Sequence, residues 1–552
     1  MQSRGHSRAS RFTETTTASG EKRAFGPNCQ DCPNVSTGRG RDVARLPGST
    51  MGQRIRTVAE PITRAPRRRR LWMTAVLAAV VVLDAAYYAF CLAQTPSRLI
   101  RPGAALASDF GLWSFMRDRG VPVPTTPGAV AVAVVLCTAV GFAAYAGLVL
   151  LHWNRADRRA TWLIAGMAGV AFAISALAMP TTNTDVYDYI LFGRVASEHQ
   201  EDPHVRFPDE FPDDPIYEYS SHQYTGKQDN KLPAWTLLTI GLAEVGGDGP
   251  VSNVLLYRSA LAGLNLATLG LIAFIVARIR PQASTAAVAL FGLNPIVAFL
   301  GPSKTDSLMA FWLVVGAACL VAGRRRLAAG GIVLSMFVKL ITLPLAAVYW
   351  LREIRLGRAT AVLGDVAIAA AVVLLLYAPF SRGFDLLVDH LSLLRGGGDN
   401  VHGPLRAVCV VLFVLFIARV GLTRTADHLS LFRGWAVVAL AFAVLLSRPA
   451  LSWYLIVPIA AVAIACDRRT TLALIPVTAA SFLLSTWRLQ NTRAHELPTD
   501  TGMTVLAVLA GLGVVGALGL WLWSRPRKAE AVEAEEPEPD DESRPLTVAQ
   551  SA

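Results

Sequence analysis

The chain has 552 residues, of which 53% are hydrophobic and only 17% charged, against roughly a quarter charged in an ordinary soluble chain. The formal charge of +12 does not point to nucleic acid, because the Arg residues form short clusters beside apolar runs rather than one aromatic-studded face. Five of the seven Cys (Cys91, Cys137, Cys319, Cys409, Cys466) lie inside apolar runs as small hydrophobes, and Cys29/Cys32 has no second pair or nearby His, so neither a disulfide framework nor a metal site is indicated.

Residues 1–70 carry 15 basic against 5 acidic residues with no apolar periodicity, and are expected to form a disordered basic cytoplasmic tail. The run from Leu71 is long enough to remain in the membrane as an uncleaved span. Further spans are expected at about 128–152, 160–180, 251–277, 283–301, 306–323, 360–380, 404–421, 433–447, 451–467, 470–488 and 501–524. Residues 526–552 form an acidic cytoplasmic tail. The fold class is all-α integral membrane, a bundle of about 12–14 transmembrane helices with short interfacial helices in the outer loops.

The stretch 327–351 is apolar but broken at Lys339, with Arg324–Arg326 before it and Arg352, Arg355 and Arg358 after it. Basic clusters at both ends indicate two half-helices that enter and leave on one side. With that choice every Lys/Arg cluster from Arg67 to Lys528 falls on the cytoplasmic side. The outer side then receives residues 181–232, with 11 acidic and 4 basic residues, and shorter loops that include 301–306, 381–403 and 447–452.

The large loop opens with TTNTDVYDYILFGRVASEHQEDPH, residues 181–204. Asp185 and Asp188 sit where a carboxylate can reach a polar substrate while a lipid substrate lies alongside; either can equally cap a helix starting near Val186. Tyr187 and Tyr189 suit a sugar site or the interfacial aromatic belt. An Asp just after an early span, a Tyr-containing helix, a Gly and a downstream Asp202-Pro203 resemble the polytopic GT-C glycosyltransferases. The resemblance is greatest to the actinobacterial polyprenol-phosphomannose-dependent α-1,6-mannosyltransferases. Segments 219–246, 291–317, 334–351 and 447–461 extend it over residues 71–525, the expected catalytic domain. The sequence departs from that pattern at His204, after Asp202-Pro203, and at Lys231-Leu232-Pro233.

The resemblance implies transfer of a hexosyl residue, mannosyl first, from a polyprenyl-phosphate sugar to a cell-envelope glycan or glycolipid, with inversion, at the outer face of the plasma membrane. The partners are then the lipid-linked donor, the glycan acceptor and membrane lipid, and no cofactor or metal is called for. Such a reaction needs a base for the acceptor hydroxyl and cations for the departing phosphate. Asp185 is the expected base and Asp188 its alternative. Lys339 leads the phosphate-binding candidates, since an intramembrane charge is costly unless functional or paired, Asp84 being a possible partner. Lys304, Arg382 and Arg448 are candidates for the same role or ordinary interfacial cations. Asp306 reads as a helix cap. Arg194, Asp202, His222 and Trp453 join Tyr187 and Tyr189 as substrate-binding candidates. A lipid-linked-sugar polymerase or ligase is the nearest rival. A secondary transporter is more distant, since it usually shows an internal repeat and midplane charges.

Overall fold

Backbone N–H and C=O groups left unpaired in hydrocarbon cost several kcal/mol each, so apolar runs of membrane-crossing length fold as helices. The computed structural model describes residues 67–93, 111–177, 185–220, 222–392, 403–445 and 452–491, and every regular element among them is helical. The protein is an all-α, multi-pass membrane protein. The basic tail up to residue 66, the span expected at 501–524, the acidic tail and Arg448 lie outside the described residues.

Helices α1 (Arg67–Ala93), α3 (Pro127–Leu151) and α4 (Arg158–Leu177) pack together after the short helix α2 (Gly111–Asp118). Thr126 starts α3 by accepting from the Ala129 N–H at 3.3 Å, with Pro127 at the first position, where its missing N–H costs nothing. Asp157 starts α4 in the same way. The chain continues through α5 (Asp185–Ser197), α6 (His222–Thr225) and α7 (Pro233–Gly246) to the 30-residue α8 (Pro250–Ile279).

The span expected at 283–301 is two helices, α9 (Ser284–Gly292) and α10 (Pro295–Leu300), in a pair bent by 48°. Pro295 cannot donate to continue the first helix, and the Asn294 side chain caps the second by accepting from the Ile296 N–H. Then come α11 (Asp306–Val321), α12 (Arg325–Val338), α13 (Leu343–Arg355), α14 (Ala359–Tyr377), α15 (Gly383–Ser392), α16 (Gly403–Thr423), α17 (His428–Leu445), α18 (Ile456–Ala465) and α19 (Arg468–Asn491). Among the described residues six helices (α1, α3, α4, α8, α14, α19) are long and apolar enough to cross a membrane, and the bent pair makes a seventh. The shorter apolar helices α11, α16, α17 and α18 complete the bundle. Every residue of α18 is buried, against α8, α9, α11, α17 and α19.

Helices α12 and α13 form a hairpin. Arg325, at the foot of α12, donates to the Tyr349 hydroxyl of α13 at 3.1 Å and to Asp365 of α14 at 2.9 Å, so the feet of α12 and α13 share one end of the bundle. Fourteen residues of α12 rise roughly 21 Å, short of a ~30 Å hydrocarbon core. The apex is Lys339, in extended backbone (φ −166°, ψ 131°), where the helix stops. Glycines allow α11 to run antiparallel against α12. A Cβ on Gly331 would stand 2.9 Å from the Gly316 nitrogen, and one on Gly316 would stand 2.9 Å from Ile332 Cγ1. This close approach brings the first residue of α11, Asp306, beside Lys339.

The end that holds the hairpin feet also gathers the basic clusters. Arg67 pairs with Asp157 at 3.4 Å, Arg280 donates to the Cys466 carbonyl at 2.8 Å and to Asn154, Arg433 lies 3.6 Å from Asp467, and Arg352 donates to the Thr425 carbonyl. The opposite end carries the acidic loop after α4 and the hairpin apex.

Candidate active site

A cavity of about 590 Å³ opens at the apex end. Its walls come from four places: Asp185, Asp188, Tyr189 and Phe192 of α5; Tyr224 to Leu232 of the following loop; Val338, Lys339 and Leu340 of the hairpin apex; and Trp453 and Tyr454 of the turn before α18. Thr305 and His390 complete it. Charged and aromatic side chains there alternate with the apolar Phe192, Leu232, Val338 and Leu340, a mixture that suits a substrate with a sugar and a hydrocarbon part.

Two carboxylate–lysine couples dominate the chemistry. Lys304 Nζ donates to Asp185 Oδ2 at 2.7 Å, and its ammonium sits 3.9 Å from the centre of the Trp453 ring. Lys339 Nζ lies 3.3 Å from Asp306 Oδ2 and 4.0 Å from the centre of the Tyr454 ring. Both aromatic faces thus lie over cations, where the negative ring face is attractive. Burial by itself would raise Asp185, but the Lys304 ammonium, aided by Lys231 and Lys339, more than offsets this and holds the carboxyl below the ordinary Asp value. Burial lowers Lys304 from the ordinary lysine value, and Asp185 opposes that shift.

Helix α5 is held rigidly behind the site. Gly193 approaches Thr239 of α7 so closely that a Cβ would meet its carbonyl oxygen at 2.5 Å, and Tyr257 donates to the same carbonyl at 2.6 Å. Tyr189 meets Trp235 edge-on with ring centres 4.9 Å apart. Arg194 binds Asp214 at 2.9 Å, Asp248 at 2.9 Å and the Gly247 carbonyl, tying the end of α5 to the α7–α8 turn.

Asp202 accepts from the Ser381 hydroxyl at 2.6 Å and its N–H at 2.8 Å, strapping the loop after α5 to the α14–α15 link. His204, next in this turn, bonds the Asp229 carbonyl through Nδ1 at 2.8 Å, and Asp229 in turn accepts from the Lys231 N–H and the Thr236 hydroxyl. His390 packs its ring near His204, hydrogen-bonds the Tyr377 hydroxyl at 3.1 Å and faces the cavity.

Of the sequence candidates, Asp185, Asp188, Tyr189, Lys339 and Trp453 line the cavity together. Lys304 lies behind Asp185, 1% exposed. Tyr187 is buried and stacked on Tyr219, Arg194 and Asp202 join loops in the contacts just described, and Arg382 pairs with Asp389 at 2.6 Å; none of these four lines the cavity. His222 opens α6, and the structure describes only its backbone. The counter-charge of Lys339 is Asp306; Asp84 instead stands beside Gly141 of α3. Lys231, Tyr224 and His390 were not singled out as site residues from the sequence. Lys231 stood out only as a departure from the family pattern, and the other two reach the cavity through tertiary contacts that no local spacing signals. Among the described residues no cluster of three or more His, Cys, Asp or Glu side chains is placed to hold a metal ion.

A helical membrane bundle whose terminal cavity presents carboxylates, ammonium groups and aromatic rings among apolar side chains has the groups that a membrane enzyme acting on a polar substrate needs. The model for the alpha-(1->6)-mannopyranosyltransferase family, N-terminal domain, matches residues 71–353, more than half of the chain, and the chain belongs to that family. It is a mannosyltransferase-class glycosyltransferase. The matched range contains both carboxylate–lysine couples, whereas Trp453, Tyr454 and His390 lie beyond it. No curated protein matches the chain.

Proposed function

We propose that the protein transfers a mannosyl residue from a polyprenyl phosphate to a hydroxyl of a cell-envelope glycan or glycolipid, with inversion, at the outer face of the plasma membrane. The observation that carries this reading is that one cavity presents a carboxylate, Asp185, and an ammonium, Lys339, from separate elements, with apolar side chains beside them. The acceptor oxygen attacks the anomeric carbon as Asp185 takes its proton, and the bond from that carbon to the phosphate oxygen breaks. The polyprenyl phosphate leaves with an added negative charge, which Lys339 and Lys231 stabilise, and which is worth most where water is excluded. Asp188 lies one helical turn from Asp185 and is the alternative base. Tyr189, Tyr224 and Trp453 offer ring faces for the sugars.

The basic clusters gathered at the hairpin feet support a cytoplasmic position for that end and for both termini, with the cavity on the outside. The test is Asp185→Asn in membranes supplied with polyprenyl-phosphate mannose and an oligomannoside acceptor. Asn keeps the shape and can still accept from Lys304 but takes no proton, so turnover is expected to fall roughly 100-fold or more at normal expression. Near wild-type turnover would remove Asp185 from the mechanism and pass the base role to Asp188.

A further inference from the structure

The two couples are built in opposite senses. In the first, the lysine is the hidden member: Lys304 is 1% exposed and Asp185 23%. In the second, the carboxylate is hidden: Asp306 is 1% exposed and Lys339 28%. The cavity therefore meets the carboxylate of one couple and the ammonium of the other, while Lys304 and Asp306 face inward. A buried charge without a partner is strongly unfavourable, so each hidden member is retained only with its exposed counterpart.

We propose that Lys304 and Asp306 are positioning residues, buried counter-charges that hold Asp185 and Lys339 respectively in place and aimed into the cavity. This rests on the reading of Asp185 as base and Lys339 as phosphate ligand. It gives Lys304 a different part from the phosphate ligand suggested by its place in an outer loop.

Three features of the packing support the assignment. Lys304 uses Nζ on Asp185 Oδ2 and covers it with the Trp453 ring, so Oδ1 is the oxygen left for the acceptor proton. Asp306 is set at the start of α11 by the glycine-mediated contact with α12 and meets Lys339 at the apex. Trp453 and Tyr454 are consecutive residues of one turn, Ser452–Leu455, and cap the two ammonium groups in register. That turn is anchored by the Ser452–Ser485 hydroxyl pair at 2.7 Å.

The charged and titratable groups around Asp185 are Lys304 from the α10–α11 link, Lys231 before α7, Lys339 at the hairpin apex, Asp306 of α11, Asp188 and Tyr189 on its own helix, and, elsewhere in the cavity lining, Tyr224 of α6, Lys227, His390 of α15 and Tyr454. Removing the Lys304 charge leaves burial, which raises the carboxyl, less opposed. Asp185 then takes a proton at higher pH, and the acid limb of kcat/KM moves upward.

The experiment measures pH profiles and donor KM for four membrane-inserted variants in the mannosyl-transfer assay. Lys304→Met is expected to shift the acid limb up by roughly one to three pH units with little change in donor KM. Lys304→Arg, which keeps the charge, should leave the limb near its original place. Asp306→Asn should leave the limb in place and raise donor KM roughly 10-fold, as Lys339→Met does. A Lys304→Met protein with an unmoved limb and a raised donor KM would overturn the assignment and make Lys304 a phosphate ligand. Should Lys304→Met fail to accumulate in the membrane, the Asp306→Asn arm still decides, since an unchanged donor KM there overturns the proposal. Full activity of Asp185→Asn in the same membranes is a separate outcome, which sinks the underlying reading of the base.

Discussion

Arg325 and Glu353 stand 3.6 Å apart although they begin and end a pair of helices, and Glu353 is also in contact with Arg352 and Arg358. This ionic clasp joins the feet of the hairpin, while packing against α7, α11, α14, α16 and α17 holds the rest of it. Arg325→Met leaves Asp365, 3% exposed, without its cation. The expected cost is about 3 kcal/mol, seen as a lower midpoint of thermal unfolding in detergent. Donor KM should rise as well, since Lys339 is placed by the same hairpin. An unchanged midpoint would show that helix packing alone holds the feet.

Lys231 is the second cation expected at the phosphate. Its N–H is held by Asp229 Oδ1 at 2.9 Å and its Nζ donates to Asn230 at 2.7 Å, so the side chain is presented from a tied turn. Charge-assisted hydrogen bonds are about twice as strong as neutral ones, and Lys231→Gln is expected to raise donor KM roughly 10-fold with a smaller effect on acceptor KM. Inhibition by polyprenyl phosphate, the product, should weaken in parallel. Unaltered product inhibition would leave Lys339 as the phosphate ligand without Lys231.

Sidedness follows from the gathered Arg clusters and is tested by cysteine labelling in a background lacking native Cys. Glu218, exposed on the loop between α5 and α6, is a suitable site there. A Cys at Glu218 should react with an impermeant maleimide in intact cells, and one at Ser543 only after permeabilisation. Labelling of both from the same side contradicts the proposed outer position of the cavity.

Local signals were enough to read much of this architecture. Charge at both ends of 327–351 and the break at Lys339 were sufficient to read a hairpin, because a cation in an apolar run and a biased loop both report on membrane depth. Asp185 and Trp453 were legible as boundary residues beside spans. Asp306 reads from sequence as a cap, since a carboxylate in a first turn is adequately explained by the free N–H groups there; its pairing with Lys339 depends on how closely Gly316 and Gly331 let two helices approach. The bend at Asn294-Pro295 carries a local signal, a capping side chain followed by a residue without an N–H. The loop of residues 181–232 was legible as acidic and aromatic, with a helix starting near Val186. Its shape depends on contacts such as Asp202–Ser381 and His204–Asp229 that join residues far apart in sequence.

His390 gives the last prediction its sign. Desolvation, reinforced by nearby His204, lowers it from the usual histidine value to about 4, against weaker opposition from Asp229 and Asp389. The ring is therefore neutral at neutral pH, bonded to Tyr377 through Nδ1, and lines the cavity. A histidine depressed in the folded state takes up its proton in the unfolded chain first, at about 6.5. Its contribution to stability is thus complete above that pH and is lost as pH falls from about 6.5 toward 4. Replacing it by Gln removes the titrating group while keeping a hydrogen-bonding side chain. The unfolding midpoint of His390→Gln should accordingly fall less steeply than that of the parent protein between pH 7 and 4. Parallel profiles for the two proteins would show that His390 does not titrate in that window and that acid sensitivity arises elsewhere.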